Sequence, residues 1–323
     1  MTKIKTALLA AAAIGALSLG STDANATAYA LTHDVVSQLT FRAILEDGTA
    51  VPFNSFQFNA NTAAFLNSTG QFEADGDGHV GSAFSLDRGI NVGAVVDPGP
   101  ANTGTATNAN NDFSFKDQND ASYARADHIL SDTAVNVAPG DSTIGGDFES
   151  ITEAFVSVDN GFAGAGNQQT WNLSLNVPDG ETASITIEFN LDLTQIVDLN
   201  GEVVPATATS EFNLGFEVDG EGGKTASFVS LLNADAANPF ASADETDIEG
   251  TGDEGVSITF SDSGGVRHFV VTFTVGEGDH SFLISYSAGA SAVSVIPEPA
   301  TLGLLGAGLL GLGAIARRRK IAA

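Results

Sequence analysis

Apolar residues alternate with polar ones through most of the middle of the chain. The clearest stretch is residues 183–194, where the alternation is unbroken. A period of two is typical of β-strands with one buried and one solvated face. The positions predicted to face inward are Trp171, Leu173, Leu175 and Val177; Ala183, Ile185, Ile187, Phe189, Leu191 and Leu193; Phe212, Leu214, Phe216 and Val218; Val256, Ile258 and Phe260; Phe269, Val271, Phe273 and Val275; and Phe282, Ile284 and Tyr286. The pattern therefore predicts an all-β domain.

Turn-forming residues separate these strands. Pro-Asp-Gly at 178–180 and Gly-Glu-Gly-Asp at 276–279 each stand between two alternating runs, which predicts two β-hairpins. Short strands joined by turns are typical of a β-sandwich or jelly roll. Two features near the N-terminal side are less regular. Residues 119–129 are the candidate for a short helix, and core positions are expected at Phe53, Phe56, Phe58 and Phe65.

Residues 27–294 are predicted to form this acidic all-β domain. The pattern favours one sandwich with a loop-rich N-terminal portion. Two β subdomains are the alternative, and the glycine-rich stretch at 161–166 is the candidate break between them.

Charge and cysteine content narrow the functional classes. Without residues 1–26 and 297–323, 6 basic and 38 acidic residues remain, a net charge of −32. Such a surface repels phosphate backbones, so we expect no nucleic-acid partner. The chain has no cysteine, which excludes disulfides, thiolate zinc sites and cysteine nucleophiles.

Residues 1–26 have the pattern of a secretory signal peptide. Lys3 and Lys5 precede an apolar run, and small residues suited to signal peptidase follow at Ala24 and Ala26. We expect signal peptidase to cut after Ala26.

The other end of the chain is also apolar. Residues 300–316 predict a single transmembrane helix about 25 Å long, just sufficient for a thin bilayer. The basic cluster at 317–320 directly follows and should stay in the cytoplasm. Both ends therefore place the domain on the outer side of the inner membrane.

These C-terminal residues resemble the PEP-CTERM sorting signal of Gram-negative bacteria. The resemblance rests on Pro297, Glu298 and Pro299, on the apolar span at 300–316, and on Arg317, Arg318, Arg319 and Lys320. It implies recognition by an exosortase, a membrane protease or transpeptidase, near the Pro-Glu-Pro tripeptide. It also implies transient anchoring in the inner membrane, then delivery to the cell surface or an exopolysaccharide-rich matrix.

Candidate chemistry in the domain is sparse. Gly-Asp-Ser at 140–142 and Asp-Ser-Gly-Gly at 262–265 are similar to serine-hydrolase strings, but neither has a partner histidine motif, so no catalytic residue is predicted. Asp75 and Asp77, two residues apart between glycines, are the candidate calcium ligands. The alternative is a solvated acidic loop.

Two functions follow as hypotheses. The first is a non-enzymatic structural or adhesive protein of the cell surface or extracellular matrix, including biofilm, with exopolysaccharide as its candidate partner. The alternative is a secreted calcium-dependent carbohydrate-binding module or a glycosidase, which would need an aromatic platform or a carboxylate pair.

Overall fold

We describe the protein from a computed structural model. It describes residues 27–66, 69–80, 91–98, 104–107, 122–130, 142–157, 161–199, 206–219, 223–264 and 266–294. The predicted signal peptide at 1–26 and everything from residue 295 onward, including the predicted helix at 300–316, lie outside these ranges.

The described residues are arranged almost entirely as strands, and all paired strands are antiparallel. The strands are β1 (Ala28–Leu45), β2 (Phe53–Leu66), β3 (Thr69–Val80), β4 (Asn91–Pro98), β5 (Gly104–Thr107), β6 (Tyr123–Leu130), β7 (Thr143–Val156), β8 (Gly161–Val177), β9 (Ala183–Asp198), β10 (Ala206–Asp219), β11 (Lys224–Ala234), β12 (Phe240–Asp244), β13 (Glu249–Gly252), β14 (Ser257–Ser263), β15 (Val266–Val275) and β16 (Gly278–Ser294). A 3-10 turn, Glu245–Asp247, follows β12.

The strands form two sheets. Sheet I has nine strands in the order β14-β15-β9-β1-β7-β6-β4-β5, with β12 also pairing with β9. Sheet II has seven, in the order β13-β11-β10-β16-β8-β2-β3. Side chains from the two inner faces pack into common clusters, so the predicted β-sandwich is confirmed.

The main core consists of the large apolar residues that the alternation marks. Phe189 and Phe269 of sheet I stack with ring centroids 5.0 Å apart, and Phe228 of sheet II meets both edge-on. Trp171 is only 2% exposed and lies against Phe148. Burial of such rings is the main stabilising contribution to the sandwich.

One end of the sandwich is packed instead with alanines. Its inward residues are Ala28, Ala30, Ala64, Ala124, Ala154, Ala163, Ala206, Ala208, Ala234, Ala290 and Ala292, with Leu66, Val156, Val197 and Leu199. Both the start of β1 and the end of β16 lie here. We call this the terminal end.

A layer of polar side chains separates the alanine core from the aromatic core. Thr32 and Asp34 occupy inward positions of β1 between Ala30 and Val36, and all are fully buried. The hydroxyls of Thr32 and Ser210 lie 2.6 Å apart and join the two sheets. We call Thr32, Asp34, His128, Ser150, Asn167, Gln169, Gln195, Ser210 and Tyr286 the polar layer.

The two predicted hairpins are wrong. Strands β8 and β9 belong to different sheets, since β8 pairs with β2 and β16 while β9 pairs with β1 and β15. Strands β15 and β16 are divided between the sheets in the same way. A short turn spans the ~10 Å between packed sheets as readily as it joins neighbours, and alternation alone does not distinguish these cases.

Three further expectations differ from the structure. The helix predicted at 119–129 is wrong, because Tyr123–Leu130 is a strand whose described side chains are buried on both faces. Phe260 and Phe65 are 56% and 46% exposed rather than in the core. Phe260 lies on the edge strand β14, where the Arg267 guanidinium covers its ring at 4.5 Å. The expected core position of Phe53 is confirmed.

The candidate subdomain break at 161–166 forms the first part of β8. This segment pairs with β16 on one side, and from Ala163 onward with β2 on the other.

Candidate functional site

The start and the finish of the folded domain lie at the same end of the sandwich. Ala28 pairs with Val156, and Ser294 pairs with Ala206 and Gly161, so both are at strand ends around the alanine core. Segments 1–26 and 295–323 therefore leave the domain from the terminal end. The first and last strand residues, Ala28 and Ser294, which respectively follow and precede the two predicted processing segments in the chain, thus lie on the same side of the domain.

A depression lies on the outer face of sheet II. Rows of residues cross this face from β11 to β2. One row is Leu231, Glu211, Gly289, Gly166 and Ala63, and the next is Asn233, Thr209, Ser291, Gly164 and Phe65. The residues of these two rows that belong to β10, β16, β8 and β2 line a depression of about 320 Å³. Three adjoining glycines leave its floor without side chains.

Neighbouring side chains fold over two of these glycines. A Cβ on Gly289 would lie 2.7 Å from Glu211 Oε1, and a Cβ on Gly164 would lie 2.9 Å from Phe162 Cζ. Any larger residue would displace the Glu211 carboxylate or the Phe162 ring from its place over the glycine. The floor thus brings an exposed carboxylate and two partly exposed aromatic rings, Phe65 and Phe162, to one depression.

The depression continues along β16 into a second one of about 240 Å³, lined by Gln168, Thr170, Asn213, Ser285 and Ser287. From Ser285 to Ser291 the two together extend roughly 20 Å along the strand. We call this continuous surface the sheet II groove. It offers amides, hydroxyls, one carboxylate and aromatic rings.

The polar layer contains the most perturbed groups of the domain. Burial raises the pKa of the Asp34 carboxyl to about 8, even though the Tyr286 hydroxyl donates to Asp34 Oδ1 at 2.7 Å. Burial and the neighbouring Asp34 also raise the pKa of Tyr286. Burial lowers the pKa of His128 to about 3. Asp34 is therefore protonated and His128 neutral at pH 7, and neither reaches solvent to act on a substrate.

A buried ion pair lies on the outer face of sheet I. Arg125 of β6 and Glu153 of β7 are cross-strand neighbours and form an ion pair that is almost fully buried. The Tyr29 hydroxyl donates to Glu153 Oε1 at 2.8 Å. Tyr123 and Phe155 are part of the apolar cluster around the pair. This arrangement is structural, because the carboxylate is already satisfied on both oxygens.

The structure locates the calcium candidates only in part. Asp75 and Asp77 lie in β3, opposite Ala60 and Phe58 of β2, rather than in a loop. Calcium there stays a prediction. Within the residues that the structure describes, no three His, Asp or Glu side chains are grouped to hold a metal ion.

The other predicted site residues lie outside the described residues. These are Ala24 and Ala26; Pro297, Glu298 and Pro299; and Arg317, Arg318, Arg319 and Lys320. Across the described ranges, no helix is both long and apolar enough to cross a membrane.

The sequence of the C-terminal segment matches a known family of sorting signals. The family model of the PEP-CTERM protein-sorting motif matches residues 295–320. This segment is a PEP-CTERM sorting motif. The match includes the Pro-Glu-Pro tripeptide and the basic cluster at 317–320. The PEP-CTERM motif indicates that the protein is exported, sorted at a membrane and processed by an exosortase.

No curated protein matches the sequence. Among solved structures, the structure of infectious bursal disease virus Gx strain was found at 9% identity, covering 92% of this chain and 89% of that chain, with a TM-score of 0.08. A TM-score this low carries no argument about fold or function.

Sequence reasoning missed the sheet II groove and the polar layer. The groove arises because Gly166 of β8 and Gly289 of β16 are directly opposite each other, and register is not visible in either strand alone. The polar layer had a weak signal: the alternation of apolar residues in β1 is interrupted at Thr32 and Asp34.

Proposed function

We propose that this is a non-enzymatic structural or adhesive protein of the Gram-negative cell surface or extracellular matrix. In this proposal signal peptidase removes residues 1–26 and the helix at 300–316 anchors the chain in the inner membrane. Exosortase then cuts near residues 297–299 and releases the sandwich to the outside. The PEP-CTERM motif directly after the last strand is the observation that carries the proposal.

The geometry of the domain supports this order of events. Only Val295 and Ile296 separate the end of β16 from Pro297. Cleavage at the motif would thus leave the sandwich intact, because every strand that the structure describes ends at or before Ser294. The acidic surface, with a net charge of −32 over residues 27–296, suits a soluble extracellular domain.

The proposal is tested in cells with and without the exosortase. We expect the protein to lose its C-terminal segment and leave the inner membrane only when the enzyme is present. Replacement of Pro297, Glu298 and Pro299 by alanine should reproduce the enzyme-free pattern in cells that contain exosortase. Replacement of Thr301 is the matched control, because it changes the motif region without touching the tripeptide. Identical mass and location in both strains would exclude the sorting role.

A second candidate function is binding of a neutral polysaccharide in the sheet II groove. The observation that favours it is the convergence of Phe65, Phe162 and Glu211 over a glycine floor. Aromatic rings and carboxylates are groups that contact sugar rings and hydroxyls, and the acidic surface disfavours an acidic polymer. A glycosidase is less well supported, since Glu211 and Glu217 lie roughly 20 Å apart along β10, beyond the reach of a carboxylate pair.

Affinity electrophoresis through gels that contain neutral polysaccharides tests this candidate. We expect retardation of the processed protein, and a weaker retardation for Phe65→Ala and Glu211→Gln, because each removes one contact group. Phe260→Ala is the matched control, an equally exposed ring on the other sheet. Equal retardation of all variants would place the polymer elsewhere. Repeating the gels with calcium and with a chelator tests whether Asp75 and Asp77 take part.

A further inference from the structure

The distance between the folded domain and the membrane is limited by a very short connection. Residues 295–299 join the end of β16 to the predicted helix at 300–316. Fully extended, five residues span at most ~18 Å. The headgroup region of one leaflet occupies roughly 5–7 Å of that length. Before cleavage, Ser294 therefore lies within about 13 Å of the headgroup surface.

The sandwich itself, rather than a loose strand, must occupy this position. Strand β16 lies between β10 and β8 and pairs with both up to its last residue, where Ser294 meets Ala206 and Gly161. Ala290 and Ala292, just before the end, are buried in the alanine core. The terminal end is thus held close to the bilayer by a paired central strand.

Two exposed phenylalanines lie at this end. Phe162 is the second residue of β8, pairs with Val293 and is 41% exposed. Phe240 is the first residue of β12, pairs with Asp198 and is 58% exposed. They lie on the outer faces of opposite sheets, one on each side of the alanine core. Exposed aromatic rings are unfavourable in water and favourable at the headgroup level of a bilayer.

We infer that, before exosortase cuts the chain, the terminal end of the sandwich rests on the outer surface of the inner membrane with Phe162 and Phe240 in the headgroup region. This inference rests on the proposed function, because it needs the anchored precursor. The partner is a zwitterionic lipid surface. Anionic lipids are disfavoured, since the domain carries −32 and the terminal end itself has Asp198 and Asp235.

This placement gives exosortase a defined substrate. The domain stands on its terminal end, and the Pro-Glu-Pro tripeptide lies directly beneath it at the membrane surface. Cleavage would then remove the anchor, leaving two rings as the remaining attachment. Such an attachment is weak and reversible, so the processed domain leaves the membrane.

The test uses the uncut full-length protein in phosphatidylcholine vesicles with bromine on the acyl chains close to the headgroups. Trp171 is the single tryptophan and is buried in the core, so it supplies a constant background. A tryptophan is added by Phe162→Trp or Phe240→Trp. Phe260→Trp is the matched control, because position 260 is far from the terminal end. Phe260 pairs with Phe269, which pairs with Phe189 of β9, and Phe189 lies roughly 30 Å along that strand from the terminal end.

We expect bromine to at least halve the added emission at positions 162 and 240 and to leave position 260 unchanged. Vesicles rich in anionic lipid should show less quenching at the first two positions. Thermal unfolding of each variant confirms that it is folded, which is expected at exposed sites. Emission that is unquenched at 162 and 240, or equally quenched at all three positions, would overturn the inference.

Adding exosortase to the vesicles distinguishes the lipid from the enzyme as the partner of the terminal end. Quenching that occurs only after exosortase is added to the vesicles would assign the terminal end to the enzyme and overturn the lipid assignment. The vesicles of the main experiment contain no exosortase. Failure of processing in cells would therefore count against the proposed function without changing this result.

Discussion

Replacing Asp34 by asparagine is expected to stabilise the protein at neutral pH by about 4 kcal/mol. The folded state holds the Asp34 proton up to a pKa of about 8, whereas the unfolded chain releases it near 3.8. Between these values the folded state binds the extra proton, so its stability falls by about 1.4 kcal/mol per pH unit as the pH rises. Asparagine has no proton to lose, and its Oδ1 can accept the Tyr286 hydrogen bond in the same way.

The pH dependence distinguishes this effect from a change in packing. Urea titrations of the processed protein should show the advantage of Asp34→Asn growing from about 1–2 kcal/mol at pH 5 to a plateau above pH 8. Buried His128 weakens both proteins equally at low pH, so it cancels from the difference. Asp192→Asn, an exposed change on β9, is the matched control and should alter stability by less than about 0.5 kcal/mol. An advantage that is the same at pH 5 and pH 8 would contradict the assigned protonation of Asp34.

The buried Asp34 carboxyl is an exception in a core whose other inward residues the sequence predicts well. The alternation assigns the inward residues of β8, β9, β10, β15 and β16 without error. It does so because a one-residue shift would reverse the faces of a strand, so the pattern is strongly constrained wherever one face is buried. At Asp34 the same rule places a carboxyl in the interior, against the usual preference for apolar residues. The sequence could not predict how the interior accommodates it.

The assignment of strands to sheets was not predictable from the sequence. The turns at 178–180 and 276–279 contain ordinary hairpin residues, yet both cross between sheets. In a sandwich both strands of such a pair have inward apolar residues, whichever sheet they join. Partner choice depends on contacts far apart in sequence, such as Phe41 of β1 against Phe282 of β16.

The two candidate functional sites also differ in whether the sequence could predict them. The PEP-CTERM motif is a linear signal, so its tripeptide and basic cluster could be identified from the order of residues alone. The sheet II groove is assembled from β2, β8, β10 and β16, whose sequences are more than a hundred residues apart at their extremes. The sequence predicts a core position for Phe65, but the register of β2 and β8 places it beside Gly164 at the groove.

Replacing Arg125 by methionine is expected to destabilise the protein by about 3–5 kcal/mol. The change leaves the Glu153 carboxylate buried without its ion-pair partner, and a buried charge of this kind is costly. The second change Glu153→Gln should recover most of that loss, because a neutral amide oxygen still accepts from the Tyr29 hydroxyl. Urea titrations of the two single variants and the double variant at pH 7 measure the coupling between the residues.

Arg42→Met is the matched control for this cycle. Arg42 forms an ion pair with Glu188 at 2.6 Å on the same sheet, but both side chains are partly exposed, at 44% and 31%. Water and salt screen an exposed pair, so its loss should cost less than about 1 kcal/mol. A similar cost for Arg42→Met and Arg125→Met would mean that burial does not set the strength of the Arg125–Glu153 ion pair. A double variant no more stable than Arg125→Met would show that the methionine, rather than the unpaired carboxylate, causes the loss.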